Sequence, residues 1–161
     1  MPLGAEPNPG AGPDFTVPDQ FLRTLLAELQ DAVVVKDLAG RYLMVNDAAA
    51  TQLGLAAAEY VGQTDATLFP ETAEAVGEND RVVVQTGQPM TVEEPAVVDG
   101  ELRTYLSTKA PLRNAGGTIC GVVGISTDIT ARKKLEDELR SRTAQLEEAQ
   151  VVARAAAGSR T

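Results

Sequence analysis

Adjacent carboxylates at Glu93 and Glu94, paired glycines at Gly116 and Gly117, and a lone thiol at Cys120 are the residues whose types and spacing could do chemistry in this chain. Two carboxylates can share acid and base duties only if they face the same space. Neighbours on a strand point to opposite faces, so Glu93 and Glu94 cannot form such a pair. Gly116 and Gly117 lie in a turn between strand-like runs rather than ahead of a helix, so they do not make a phosphate loop. Cys120 falls inside the run G-G-T-I-C-G-V-V-G-I-S-T and reads as a small buried hydrophobe, with a cofactor thiolate as the minor alternative. The 161 residues contain no histidine. That removes Ser/His/Asp and Cys/His nucleophiles, histidine zinc sites and histidine-ligated haem together, and this stretch cannot itself be phosphorylated on histidine. No catalytic constellation and no metal site remain, so the chain is not expected to be an enzyme in its own right.

A different kind of site is marked by Asp128, Ile129 and Thr130, which close the β-branched run ending at Thr127 and open A-R-K-K-L-E-D-E-L-R-S-R-T-A-Q-L-E-E-A-Q. The first run suits a pleated sheet. The second has no Gly or Pro and consists mainly of good helix formers, with Thr130 placed as its N-cap. A folded domain hands over to a helix here.

Composition bounds what such a domain can be. Hydrophobic residues make up 43% and charged residues 23%, enough for a packed core, but aromatics are only 4% and tryptophan is absent. The core must therefore rest on Val, Leu, Ile and Ala. A formal charge of −9 repels phosphate backbones and anionic lipid surfaces, so neither nucleic acid nor membrane is expected as a partner. One cysteine permits no internal disulfide, no apolar stretch approaches the roughly 20 residues that span a bilayer, and the N-terminus lacks signal-peptide regions. A cytoplasmic location is the simplest expectation.

Along the chain, Pro and Gly dominate residues 1–17, which read as a disordered leader. Phe21, Leu22, Leu25, Leu26 and Leu29 recur at helical spacing and predict an amphipathic helix within 18–30. Strands are expected at 32–36 and 41–45 around the turn Asp37 to Gly40, then a short helix capped by Asn46 or Asp47 and ended by Gly54. Short helical pieces follow at 57–61 and 65–69, and a longer one at 71–86 with Ala75, Val76, Val82 and Val83 inward. Strands at 90–98 and 101–112 flank the tight turn Asp99-Gly100, and a last strand runs over 118–127. Strands and helices are segregated, which predicts an α+β domain on an antiparallel sheet.

Three stretches in this order resemble the PAS family: D-A-V-V-V-K-D-L-A-G-R-Y-L-M-V-N-D-A-A, then T-K-A-P-L-R-N-A-G-G-T-I, then G-V-V-G-I-S-T-D-I-T followed by A-R-K-K-L. The resemblance covers about Leu25 to Thr130 and places the domain at 31–130. It implies a five-stranded antiparallel sheet of order 2-1-5-4-3, with helices on one face enclosing a pocket. Matched to flavin-binding relatives, strand parity turns Tyr105, Ser107 and Lys109 inward with Cys120, Val122, Gly124 and Ser126, and turns Leu106, Ile119, Val123 and Ile125 outward. The candidate pocket is then Tyr42, Met44, Val83, Tyr105, Ser107, Lys109, Val122 and Ser126. Alternatively Tyr42 and Met44 fill the core and Lys109 runs its stem to the rim. Light-sensing relatives carry a cysteine in a motif where this chain has G-Q-T-D-A-T-L-F-P from Gly62 to Pro70, so a cysteinyl-flavin adduct is excluded. Haem-binding relatives use a histidine, absent here. No cofactor is therefore expected, although a noncovalent flavin, fatty acid or metabolite remains compatible.

By the same resemblance, Asp128 and Thr130 tie the sheet to an output helix, with Arg41 or Lys36 as a basic partner for Asp128. Residues 131–161 are expected as a signalling helix, in which Leu135, Leu139, Arg142, Leu146, Ala149, Ala153 and Ala156 follow a heptad. Only three of those seven are leucine, so a coiled coil would be weak on its own. A homodimer through the N-terminal helix, the outer sheet face and this helix is expected, relaying a ligand or interface signal to an effector. The ending A-R-A-A-A-G-S-R-T resembles the lead-in to a sensor histidine kinase. The alternatives are a ligand-free spacer that fixes dimer geometry, or the sensor of a cyclic-dinucleotide cyclase or phosphodiesterase.

Overall fold

A computed structural model describes residues 19–159, so the expected leader at 1–17 lies outside the described residues. Five strands form one antiparallel sheet in the order β2-β1-β5-β4-β3. They are β1 (Ala32–Asp37), β2 (Tyr42–Val45), β3 (Met90–Val98), β4 (Glu101–Arg113) and β5 (Ile119–Asp128). Between β2 and β3 the chain makes α2 (Asp47–Leu53), α3 (Ala57–Tyr60), α4 (Asp65–Leu68) and α5 (Ala73–Thr86), while α1 (Asp19–Glu28) precedes the sheet and α6 (Thr130–Gly158) follows it. The fold is α+β with the strand order that the resemblance implies.

Local chemistry accounts for the joints. Asp99 and Gly100 both take positive φ, 51° and 77°, as a two-residue hairpin turn matched to strand twist requires. They set the β3–β4 register, in which Val98 faces Glu101 and Met90 faces Lys109. Asn46 does more than cap α2. Its Oδ1 accepts from Ala49 N and from Val33 N, each at 2.9 Å, and its Nδ2 donates to Leu26 O at 3.1 Å and Asp31 O at 3.0 Å. One buried amide thus joins α1, β1 and α2.

The core is built on Ala32, Tyr42, Val45, Ala49 and Tyr60, with Phe69 and Leu53 packed against it. Tyr42 and Tyr60 meet edge to face at 5.4 Å between ring centroids, so two of the few aromatics carry the packing at this end. On α5, Val83 is fully buried and Val82 half-buried, whereas Ala75, expected to point inward, is exposed. Val76, one of the residues expected inward, and Asp80, which was not, line the space beneath the helix.

Candidate functional site

Beneath α4 and α5, against the inner face of the sheet, lies a cavity of about 80 Å³. Six of the expected residues line it: Tyr42 from β2, Tyr105, Ser107 and Lys109 from β4, and Val122 and Ser126 from β5. The parity on β4 follows because an unbroken strand keeps residues 105, 107 and 109 on one face. Ser107 and Ser126 face each other across the ladder, their hydroxyls 2.8 Å apart.

Two expected residues are not in the lining. Met44 is displaced by a register shift: Val35 pairs with Met44 but Lys36 pairs with Tyr42, so a bulge reverses the parity and turns Val45, not Met44, toward the core beside Tyr42. Val83 is buried beyond the cavity, which Val76 and Asp80 reach earlier on α5. Cys120, expected to face inward, also stays out of the lining, with its thiol 3.6 Å from Leu112 O.

The cavity wall is a network of buried charge. Lys36 Nζ lies 2.5 Å from Asp65 Oδ2 and 3.1 Å from Asp80 Oδ2; Lys109 Nζ lies 2.5 Å from Asp80 Oδ1 and 2.9 Å from Glu94 Oε1. Asn79 Nδ2 donates to Glu94 Oε1 at 2.9 Å, and the Tyr42 hydroxyl donates to Asp65 Oδ1 at 2.6 Å. Lys109 therefore does not reach the rim: it is 4% exposed and neutralised where it stands. Five elements, β1, β3, β4, α4 and α5, each contribute a charge, and Asp80 joins both lysines. On its outer side the cluster also borders a groove of about 470 Å³, so Lys36, Asp65 and Asp80 partition cavity from surface.

Burial opposes the charge on Lys36, but Asp65 and Asp80 outweigh it and raise the ammonium above its ordinary range. Burial, then the neighbouring Asp65, pushes the Tyr42 phenol far up, so it stays a neutral donor. A lysine whose folded value is raised adds stability that is complete below the unfolded value and disappears as pH climbs through the folded one. The melting temperature of the domain is therefore expected to fall on the alkaline side of the ordinary lysine range, and a Lys36→Met variant should lose that slope in a thermal melt taken as a function of pH.

The joint at the end of β5 is built differently from a simple cap. Asp128 Oδ1 accepts from Thr130 N at 2.9 Å and from Thr130 Oγ1 at 2.6 Å. Thr130 Oγ1 in turn accepts from Thr104 N at 3.0 Å, while Ile129 N donates to Thr104 O at 2.9 Å. Ile129 occupies the N-cap position, so Thr130 is not the N-cap; Asp128 satisfies the first free N–H and the threonine hydroxyl ties the helix to β4. Neither basic candidate partners Asp128. Lys36 is held in the charged cluster and Arg41 donates to Gly62 O at 3.0 Å. One further tie reaches α6, from Lys133 Nζ to Glu93 Oε2 at 3.1 Å. Glu93 and Glu94 do point apart, one to this helix and one to the cavity.

Beyond Lys133 the helix is exposed. It has 29 residues, roughly 43 Å at 1.5 Å per residue, and Leu135, Leu139 and Leu146 are each more than 60% exposed.

Sheet order, helical cover, the cavity between them and the outgoing helix define a class, and the model of the PAS fold matches residues 26–134. The chain belongs to the PAS family. Over 126 residues it is 34% identical to the methanogenesis regulatory histidine kinase FilI of Methanothrix harundinacea, covering 77% of this chain and 14% of the kinase. Over 119 residues it is 31% identical to a diguanylate cyclase of Vibrio cholerae, covering 71% of this chain and 37% of the cyclase. The crystal structure of a VqmA–ligand–DNA complex from Vibrio cholerae superposes with a TM-score of 0.60 and 26% identity, covering 66% of this chain and 49% of that one. The chain thus spans well under two thirds of each.

That last neighbour corrects the expectation of no nucleic-acid partner, since a chain carrying this fold is seen in complex with DNA. The charge of −9 describes this module alone and does not decide what a longer protein meets. Among the described residues no helix is long and apolar enough to cross a membrane.

Proposed function

We propose that this chain is a sensory and dimerisation module, itself without catalysis, that works in the cytoplasm and passes changes in its cavity through α6 to an effector. A histidine kinase is the first choice of effector, and the cyclase relative supports a cyclic-dinucleotide enzyme as the second. One observation carries the reading: Val122 and Ser126 of β5 line the cavity, and the same strand ends at Asp128, whose carboxylate holds the first turn of α6. A displacement of β5 is felt at the helix start within two residues. The exposed leucines Leu135, Leu139 and Leu146 support a second helix as the partner of α6, and half-exposed Leu22, Leu25 and Ile125 support contact through α1 and the outer sheet face.

Asp128→Ala and Thr130→Val test the relay. Each removes a link worth about 1 kcal/mol, so hydrogen exchange in the first two turns of α6 should quicken about fivefold while exchange in β1 and β5 stays unchanged. In a full-length protein the effector should stop responding to the stimulus. Unfolding of the whole sheet in either variant would reduce the triplet to a structural cap and remove the relay.

A further inference from the structure

The charges of the cavity are already matched to one another, and this decides what kind of molecule it can hold. Two ammonium groups face three carboxylates, leaving one negative charge in excess. An anion would add to that excess in a water-poor space, where its lost hydration is not recovered. A cation would find both oxygens of Asp65 taken by Lys36 and Tyr42, both oxygens of Asp80 taken by Lys36 and Lys109, and at Glu94 a single oxygen, Oε2, beside the Lys109 ammonium that repels it.

The buried polar atom of the lining that has no partner is neutral. Tyr105 lines the cavity, is 4% exposed, and its hydroxyl is buried without a hydrogen-bond partner. Burial pushes this phenol up, and the Arg103 guanidinium beside it works against that shift; the guanidinium does not meet the hydroxyl in hydrogen-bond geometry. Orphaned hydroxyls of this kind are rare and costly in a folded protein. Around it the walls are apolar, with Val34, Leu53, Phe69 and Val76. At about 80 Å³, and ~10–15 Å³ for each water-sized centre, the space takes on the order of six atoms.

We propose that the cavity binds an uncharged organic molecule of about six to eight non-hydrogen atoms, whose amide, carbonyl or hydroxyl group pairs with the Tyr105 hydroxyl and whose apolar body lies against Val34, Leu53 and Phe69. This rests on the reading of the cavity as the sensory site, and it narrows the ligand class.

Isobutyramide, isobutyrate and isobutyramidinium, matched in shape and differing in charge, are suitable probes, followed by chemical shifts of residues lining the cavity. Isobutyramide should bind in the millimolar range and at least fivefold more tightly than either ion. Tyr105→Phe should weaken the amide about fivefold and, because it deletes an unpaired hydroxyl, should raise the melting temperature of the unliganded protein by about 4 °C or more. Tighter binding of either ion would overturn the ligand class while leaving the cavity a sensory site. Shifts from none of the three would overturn it outright, and so would Tyr105→Phe binding the amide as well as the parent. Selective amide binding with unchanged exchange along α6 would uphold the ligand class and overturn the relay instead.

Discussion

Replacing Lys109 by Met is expected to destabilise the domain by about 3–5 kcal/mol, a fall in melting temperature on the order of 15 °C. Methionine keeps most of the stem volume, so packing around β4 is conserved and the loss is one of charge. The Lys109 side chain is 5% exposed and holds Asp80 at 2.5 Å and Glu94 at 2.9 Å. Without it, three buried carboxylates share the single ammonium of Lys36, and Glu94 keeps only the amide of Asn79. The opposite change should be mild. Asp80→Asn takes a carboxylate from a cluster that has one too many, each lysine keeps one acidic partner, and the expected cost is about 1–2 kcal/mol. Adding Glu94→Gln to Lys109→Met should restore part of the stability by lowering the same excess. Urea unfolding of the four proteins checks the ordering. A cost for Asp80→Asn larger than for Lys109→Met would mean that hydrogen-bond geometry, not net charge, governs the cluster.

Why that cluster escaped the sequence while the sheet did not is a matter of range. The strands declare themselves locally, through β-branched runs and the Asp99-Gly100 turn, and on β4 a period of two carries Tyr105, Ser107 and Lys109 to one face without interruption. The bulge between Val35 and Lys36 leaves no such mark, and so Met44 was expected inside. Lys36 and Glu94 could have been suspected. Lys36 shares parity with Ala32 and Val34 on the inward face of its strand, and a charge there must be paired. Asp65 and Asp80 carry no comparable signal: they sit on separate helices and meet a common lysine only once α4 and α5 are laid over the sheet. The joint at Asp128 was legible as a boundary. The rotation of the Thr130 hydroxyl toward Thr104 depends on where β4 begins relative to the end of β5, a register that no local pattern encodes.

Gly121→Ala should be nearly as damaging as loss of Lys109, for a reason of shape. The bare Cα of Gly121 lies against the backbone of β1: a Cβ there would sit 2.1 Å from Lys36 O and 3.2 Å from its carbonyl carbon. Both atoms belong to main chain pinned by the ladder, in which Lys36 faces Val122 and Asp37 faces Gly121. Relief requires β1 and β5 to separate by about 1 Å, since nonbonded heavy atoms rest at ~3.5 Å or a little closer. The expected cost is about 3 kcal/mol. Strand separation would also move Lys36 off Asp65 and Asp80, so the variant should lose the alkaline slope in its melting temperature as well as stability. Gly124→Ala provides the contrast on the same strand, because its Cβ would meet only the side-chain Val34 Cγ2, at 3.2 Å. That methyl can yield, so stability should fall by less than about 1 kcal/mol. Gly124 borders the cavity, however, and the added methyl would narrow it, so isobutyramide binding should weaken in a protein that still melts normally. A Gly121→Ala protein that melts with the wild type would show that β1 and β5 can part freely, and the rigid strand required to carry a signal from cavity to Asp128 would be lost with it.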